Sequence, residues 1–230
     1  EIAREQGYKR QETEVYLGLG HAYRFDNQNQ TVIQHYEKAL EIARKQGYKR
    51  EETEAYLGLG HAYYPDNQNE TAIQNYEKAL EIAREQGYKL LETQAYIGLG
   101  HAFSSDNQNQ AAIQHYQKAL EIARVQGYKP EETEAYLGLG QAYGLDNQNQ
   151  TAIQHYQKAL EIAGEQRYKQ EETQAYLGLG HAHFSANRNQ AAIQHYKKTL
   201  QIAREQGYKL QETQAYNGLG DAYRLDNQYQ

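Results

Sequence analysis

The sequence predicts an all-α solenoid of antiparallel helix pairs. The segment Tyr-Leu-Gly-Leu-Gly-His-Ala-Tyr, at residues 16–23, returns every 40 residues with few substitutions and no insertion, in six copies. Each copy holds two stretches whose apolar residues are spaced three and four apart, the spacing of one helix face. The stretches are joined by only a few residues, which makes neighbouring helices antiparallel. A strict repeat of this kind is one array, 1–230, rather than several domains.

The first helix of each copy is expected to begin near Gln11 and to end near Asn27. Acidic residues at its start complement the positive end of the helix dipole. Asparagine tolerates the left-handed backbone that often ends a helix, and all six copies have it at this position. The apolar face of the first copy consists of Val15, Tyr16, Leu19, Ala22 and Tyr23.

The second helix is expected to run from Asn29 to about Gln46, and its apolar face is wider. A wide apolar face is typical of a helix that packs on two neighbours. Gly47 follows as a C-terminal cap. In the fifth copy Arg167 replaces this glycine, so we expect a weaker or shifted helix end there. The apolar face of the first copy consists of Val32, Ile33, Tyr36, Ala39, Leu40, Ile42 and Ala43.

These elements divide the chain into an opening fragment, five full repeats and a last helix. Residues 1–7 are interpreted as the end of a truncated second helix, and 208–230 as an unpaired first helix. Because the chain has no methionine and both ends cut through a repeat, we expect a slice of a longer array or a processed product. The full repeats are 8–47, 48–87, 88–127, 128–167 and 168–207.

Composition excludes several classes of protein. There are 24 Lys+Arg against 30 Asp+Glu, a net charge of -6, and a nucleic-acid binder depends on phosphate neutralisation by basic residues. Without cysteine there is no disulfide framework and no thiolate metal site. No stretch approaches the length of a membrane span and no signal peptide is visible, so we expect a cytoplasmic protein that does not bind membranes.

The residues of one copy resemble a known family. Tyr16-x2-Leu19-Gly20-x2-Tyr23, followed by an Ala-x3-Tyr-x2-Ala pattern on the second helix, resembles the tetratricopeptide repeat. The period is 40 rather than the usual 34, and the family's closing proline is absent. The longer period is similar to the 40-residue subclass that includes the Pins-type spindle-orientation adaptors. Both recent duplication and an idealised sequence would produce copies this similar.

The resemblance implies a right-handed superhelix whose first helices line the concave side, and a peptide-binding scaffold as function. The family's best-known ligand mode clamps a terminal carboxylate with Lys, Asn and Arg. This sequence has Leu57, Gly58 and His61 in such positions, so that mode is not expected here.

Ligand contacts are expected from a stripe on the first helices, at the positions of residues 17, 21 and 24. The last of these positions varies from copy to copy, and variation inside a near-perfect repeat is where ligand preference can be encoded. The histidines of the stripe recur about 10 Å apart, too far to share one metal ion. The predicted stripe is Leu17, His21, Arg24, Leu57, His61, Tyr64, Ile97, His101, Leu137, Gln141, Leu177, His181, Phe184 and Arg224.

The favoured function is therefore an interaction scaffold for a protein or peptide, without catalysis, cofactor or metal. No catalytic triad, phosphate-binding loop or isolated carboxylate pair is visible. The alternative is a module that self-associates head to tail through uncapped ends into filaments. That contact would use Tyr216, Leu219 and Tyr223 at one end and Ile2 at the other.

Overall fold

The computed structural model describes residues 2–23, 29–66 and 68–228, which form eleven α-helices and one short 3-10 helix. Within these ranges there is no strand, and no helix combines the length and the apolar composition that a bilayer span requires. The first helices are α1 (Ile2–Tyr23), α3 (Lys49–Tyr63), α5 (Lys89–Ser105), α7 (Lys129–Leu145), α9 (Lys169–Ser185) and α11 (Lys209–Gln228). The second helices are α2 (Asn29–Gln46), α4 (Asn69–Gln86), α6 (Asn109–Gln126), α8 (Asn149–Gln166) and α10 (Asn189–Gln206). The 3-10 helix Tyr64–Asp66 follows α3.

The chain divides into two compact units, Glu1–Ile122 and Ala123–Gln230. In the first unit α1 to α5 pack in chain order, and α3 also contacts α1 and α5. In the second unit α7 to α11 likewise pack in chain order, and α9 also contacts α7 and α11. Each first helix inside a unit therefore packs both on second helices and on neighbouring first helices. The all-α repeat predicted from the 40-residue period is confirmed.

The ends of the second helices agree with the predicted capping. Gly47, Gly87, Gly127 and Gly207 all have left-handed backbone, with φ between 72° and 76°. The amide of Tyr88 then donates to the carbonyl of Ala83 at 2.8 Å, and the amide of Gly87 to that of Arg84 at 3.3 Å. These two bonds are the Schellman pattern.

The fifth copy keeps the same helix end despite its arginine. Arg167 adopts the left-handed conformation with φ 61°, and α8 still ends at Gln166. The expected shift of this helix end is therefore wrong. Arg167 therefore bears the steric strain that glycine avoids.

From α3 onward the first helices begin at a lysine, such as Lys49, two residues before the predicted start. Three of them end at an asparagine with left-handed backbone, Asn107, Asn147 or Asn187, as the sequence predicts.

The two ends of the chain differ from the interior copies. Helix α1 continues without interruption through Gly7, and α11 continues through Asn227 to Gln228. The expected boundary between residues 7 and 8 is thus not a helix end.

On α2, α4, α8 and α10 a tyrosine fills the space between two first helices. Tyr36, Tyr76, Tyr116 and Tyr196 are almost completely buried. A Cβ atom added at Gly60 would lie 2.5 Å from the ring of Tyr76, and one added at Gly98 of the next copy would also lie 2.5 Å away. The Tyr76 ring therefore touches backbone on both sides, and only glycine leaves room for it.

The first glycine of the Gly-Leu-Gly segment has a structural role that the sequence did not explain. Gly58, Gly98, Gly178 and Gly218 each receive the tyrosine of the preceding copy. In these copies the position is therefore filled by the protein's own tyrosine ring. Gly18, on α1, has nothing within 4 Å.

This contrast yields a prediction with a matched control. Gly98→Ala is expected to lower the free energy of unfolding by about 1–3 kcal/mol, because the added methyl group overlaps the Tyr76 ring. Gly18→Ala should raise it by about 0.5–1 kcal/mol, because alanine is the better helix former and the site is open. Urea unfolding measures both. Equal effects of the two substitutions would contradict the assignment.

Candidate functional site: the first-helix face

The predicted stripe divides into a buried and an accessible part. Leu17, Leu57, Ile97 and Leu177 are at most 8% exposed, and Leu137 is half-buried. Leu17 and Leu57 belong to one core cluster of the first unit, and Leu177 packs in a core cluster of the second. The expectation that these residues face a ligand is therefore corrected, because neighbouring first helices pack against each other there. Asn217 takes this position in α11 and is exposed.

The histidines of the stripe are joined to the buried tyrosines. Nδ1 of His61 lies 2.9 Å from the Tyr76 hydroxyl. The same pair recurs as His101 with Tyr116 at 2.8 Å, and as His181 with Tyr196 at 3.0 Å. His21 instead meets the Tyr36 ring edge-on, with 5.6 Å between ring centroids. In each of these three histidines Nδ1 is thus engaged with a tyrosine hydroxyl, which fixes the orientation of the imidazole ring.

Burial controls the charge of the His181 pair. Burial lowers the pKa of His181, so its imidazole is neutral at neutral pH. Burial, together with the nearby Asp221 carboxylate, raises the pKa of the Tyr196 hydroxyl, which stays protonated. The fourth copy has Gln141 instead of histidine, and burial raises the pKa of its Tyr156 as well.

A cavity of about 270 Å³ opens between α9 and α11 in the second unit. Its lining combines two aromatic rings, two amides, an imidazole and a carboxylate, a mixture that suits a peptide side chain with both apolar and polar groups. Arg224 donates to Asp221 at 3.3 Å beside it. The lining residues are His181, Phe184, Tyr196, Gln214, Asn217, Gly218 and Asp221.

The corresponding surface of the first unit is closed by side-chain contacts. The Tyr64 hydroxyl lies 2.8 Å from Ser105 Oγ, and its ring centroid lies 6.4 Å from that of His101. Ser104 is buried. The structure thus brings Tyr64 and His101 together, and it brings His181 and Phe184 together. Arg24 lies outside the described residues.

A second set of ring contacts, within the first, third, fourth and fifth copies, was not predicted. Phe103 stacks on His115 and Tyr143 on His155, each with centroids 5.1 Å apart. His183 stacks on His195 in the fifth copy, also at 5.1 Å. These second-helix histidines thus pack on the first helix of their own copy. In the sequence, these ring contacts were indicated by an aromatic residue and a histidine that recur at the positions of residues 23 and 35.

Among the described residues, no group of three or more His, Cys, Asp or Glu side chains is placed to hold a metal ion. The rings of His183 and His195 stack nearly parallel. The lone pairs of their nitrogens lie in the ring planes and therefore do not converge on one point.

Comparisons with known proteins identify the family. Models described as tetratricopeptide repeat match residues 51–124 and 110–165, residues 13–46, and residues 173–205. The span 51–165 is 115 of the 230 residues, which is half of the chain. The chain belongs to the tetratricopeptide repeat family. No curated protein sequence gives a significant match.

Solved structures share the fold at low sequence identity. A signal transduction ATPase with a tetratricopeptide repeat sensor from Pyrococcus horikoshii superposes with a TM-score of 0.77 at 22% identity, over 95% of this chain and 34% of that one. A Rap protein complexed with competence and sporulation factor superposes with a TM-score of 0.80 at 19% identity, over 95% of this chain and 64% of that one. A kinesin light chain with nearly identical repeats from Podosopora anserina superposes with a TM-score of 0.69 at 17% identity, over 85% of this chain and 96% of that one. This chain thus spans about a third of the ATPase and under two thirds of the Rap protein.

The stacked histidines of the fifth copy predict a pH dependence. Burial lowers the pKa of both, assisted by Arg188 for His183 and by His183 for His195. The unfolded chain therefore binds protons first, so stability falls as pH decreases below about 6.5. His183→Tyr, which restores the residue of the first, second and fourth copies, is expected to reduce this loss.

The matched control makes the opposite substitution, from tyrosine to histidine, in the fourth copy. Tyr143→His creates the same pair with His155 and should add to the loss of stability between about pH 7 and pH 5. Urea unfolding across this range measures both variants. An identical pH dependence in the parent and the two variants would rule out the histidine pair as its source.

Proposed function

We propose that the chain is a protein-interaction scaffold that holds a peptide or helical segment against its first-helix face. The observation that carries the proposal is the cavity between α9 and α11. Its lining includes Phe184, Asn217 and Asp221, which are among the positions that vary inside an otherwise near-identical repeat. A cavity of about 270 Å³ accommodates one or two peptide side chains rather than a drug-sized ligand.

The lining indicates how a peptide would be held. Phe184 offers an apolar surface, and Gln214 and Asn217 offer amides that both donate and accept hydrogen bonds. Nδ1 of His181 is engaged with Tyr196, so Nε2 is the ring nitrogen left for a ligand. Because His181 is neutral, this contact is a hydrogen bond rather than an ion pair.

Family membership and fold support binding as the function. The Rap protein whose fold is similar was solved in complex with competence and sporulation factor. At 19% identity that likeness concerns the fold, and ligand choice here depends on this chain's own residues. We propose binding without catalysis, because the face presents single polar groups rather than a nucleophile with its base.

Self-association through the ends is the second candidate. Tyr216 and Tyr223 are 45% and 41% exposed on α11, which favours a contact at that end. Leu219 is buried against the core that contains Leu177, so it would not take part as expected. The side chain of Ile2 lies outside the described residues. Sedimentation over a concentration series tests this candidate, and a monomer throughout would exclude it.

The scaffold proposal predicts a loss of peptide binding on filling the cavity. Asn217→Arg combined with Asp221→Arg occupies the cavity and reverses its charge, while both positions are exposed and tolerant. Peptides selected from a displayed library on the parent chain should bind this variant at least about tenfold more weakly, a difference of about 1.4 kcal/mol.

The control is Gln157→Ala, an exposed position on α8 away from the cavity. It should bind the selected peptides as the parent does. The proposal fails if the library yields no binder, or if every selected peptide binds the cavity variant as tightly as the parent.

A further inference from the structure

A second cavity of the second unit lies between α9 and α10, and its volume is about 430 Å³. It shares no lining residue with the cavity between α9 and α11. Five of its six lining residues belong to α10, so the surface of one helix determines its chemistry. The lining residues are Tyr176, Gln194, His195, Lys197, Lys198 and Gln201.

The same cavity recurs in an interior copy. In the third copy a cavity of about 450 Å³ lies between α5 and α6 and is lined by residues at the same positions of the repeat. The ring centroids of its tyrosine and histidine are 6.0 Å apart, against 6.1 Å in the fifth copy. Because further copies follow the third in the sequence, the cavity is a feature of the repeat itself. The lining residues of the third copy are Tyr96, Gln114, His115, Gln117, Lys118 and Glu121.

The charge at this surface differs between copies at the positions of residues 37, 38 and 41. The first two copies have two glutamates and one lysine there, which gives a net charge of -1. The third and fourth copies have glutamine, lysine and glutamate, whose charges cancel. The fifth copy has Lys197, Lys198 and Gln201, a net charge of +2. Of the five second helices, only that of the fifth copy is therefore positive at these positions.

The third and fourth copies show which group the lysine contacts when the glutamate is present. Nζ of Lys158 donates to Oε2 of Glu161 at 2.8 Å, and the equivalent pair of the third copy is 3.8 Å apart. In the fifth copy Gln201 takes the place of the glutamate, and its amide donates to Glu205 at 3.1 Å instead. Lys198 therefore lacks the carboxylate that its own helix supplies in the third and fourth copies.

The fifth cavity combines two cations with two uncharged rings. Lys197 and Lys198 are exposed, whereas Tyr176 and His195 are half-buried. Nζ of Lys197 lies 5.7 Å from the ring centroid of Tyr223, a contact that leaves the ammonium group able to donate hydrogen bonds. Burial, assisted by a neighbouring histidine, lowers the pKa of His195, so its imidazole is neutral at neutral pH.

We propose that the cavity between α9 and α10 binds an acidic segment of a partner protein, whose carboxylates contact Lys197 and Lys198. A carboxylate is the group that the third and fourth copies place on the lysine at this position. The partner's carboxylate thus restores a contact that the repeat already uses. The two glutamines of the lining donate further hydrogen bonds from their amides, and the aliphatic part of an acidic side chain lies against the two rings.

The size and the charge of the cavity determine how such a segment is held. A volume of about 430 Å³ accommodates a few side chains, so two adjacent acidic residues fit. A single exposed ion pair is weak, and binding therefore depends on both lysines acting together. Because exposed charges are screened by salt, the affinity should fall as the ionic strength rises.

The test is an NMR titration of the isotope-labelled full chain with the acetylated and amidated peptide Gly-Ser-Glu-Glu-Ser-Gly. Saturable changes in amide chemical shift are expected at residues 194–201 of α10, and none at the equivalent residues 154–161 of α8. The matched peptide Gly-Ser-Gln-Gln-Ser-Gly should cause no saturable change, because it carries no charge. Raising the salt concentration from about 0.02 M to about 0.5 M should weaken binding at least about threefold.

Two double substitutions exchange the fourth and fifth copies. Lys197→Gln with Gln201→Glu gives the fifth cavity the residues of the fourth, and should weaken binding of the acidic peptide at least about tenfold. Gln157→Lys with Glu161→Gln makes the reverse exchange and should create a second site, with saturable shift changes at residues 154–161. All four positions are exposed, so thermal unfolding of both variants should match that of the parent.

Several results would overturn the proposal. One is the absence of saturable shift changes at residues 194–201, and another is an equal affinity for the glutamate and the glutamine peptide. Unchanged binding by the variant with Lys197→Gln and Gln201→Glu would also contradict it. Tighter binding of inorganic phosphate than of the acidic peptide at residues 194–201 would assign the cavity to phosphate groups.

A second copy of the chain is a further occupant that the titration distinguishes. Its acidic surface would be that of α4, where Glu77 and Glu81 line another cavity. Shift changes on α4 and α10 that appear on raising the concentration of the chain alone, and that Glu77→Lys with Glu81→Lys abolishes, would assign the cavity to self-association and overturn the proposal of a separate partner.

Discussion

The contact between a second-helix tyrosine and two glycines determines how this array is built. One glycine belongs to the tyrosine's own repeat and the other to the next, as for Tyr76 between Gly60 and Gly98. The rings of Tyr36, Tyr76, Tyr156 and Tyr196 therefore each fix the spacing inside a repeat and the spacing to the next repeat at once. A side chain on either first helix would force the ring to move, and a buried ring in a close-packed core has nowhere to go.

This constraint explains what the rest of each first helix is free to do. Because the two glycines and the leucine at position 17 are used for packing, the accessible part of the face is reduced to the residues at positions 21 and 24 and their neighbours. The histidine at 21 is itself held by the tyrosine hydroxyl in three copies. Ligand preference must then come from the remaining variable residues, such as Phe184 and Asp221.

The sequence predicted the fold well because the repeat supplies six observations of one pattern. Helix bounds such as Asn29–Gln46 and the capping glycines follow from periodicity and local backbone preference, which are properties of neighbouring residues. The packing role of the first glycine of the Gly-Leu-Gly segment, at the position of Gly18, could not be predicted from the sequence. In the later copies the tyrosine that packs on this glycine lies on the preceding second helix, 22 residues away in sequence. The burial of Leu57 was missed for a similar reason, since contacts between first helices of successive copies leave no mark on the pattern of one helix. Of the site, the sequence indicated the variable positions, but only the structure shows which of them share a cavity.

A double-mutant cycle on Tyr76 and Gly98 tests this account most directly. Gly98→Ala is measured by urea unfolding in the parent and in a chain that carries Tyr76→Ala. The account predicts that the substitution destabilises the parent but is neutral or stabilising once the ring is gone, with a coupling energy of about 1–3 kcal/mol. The same destabilisation in both backgrounds would show that glycine is required there for another reason, and would contradict the central role of the tyrosine contact.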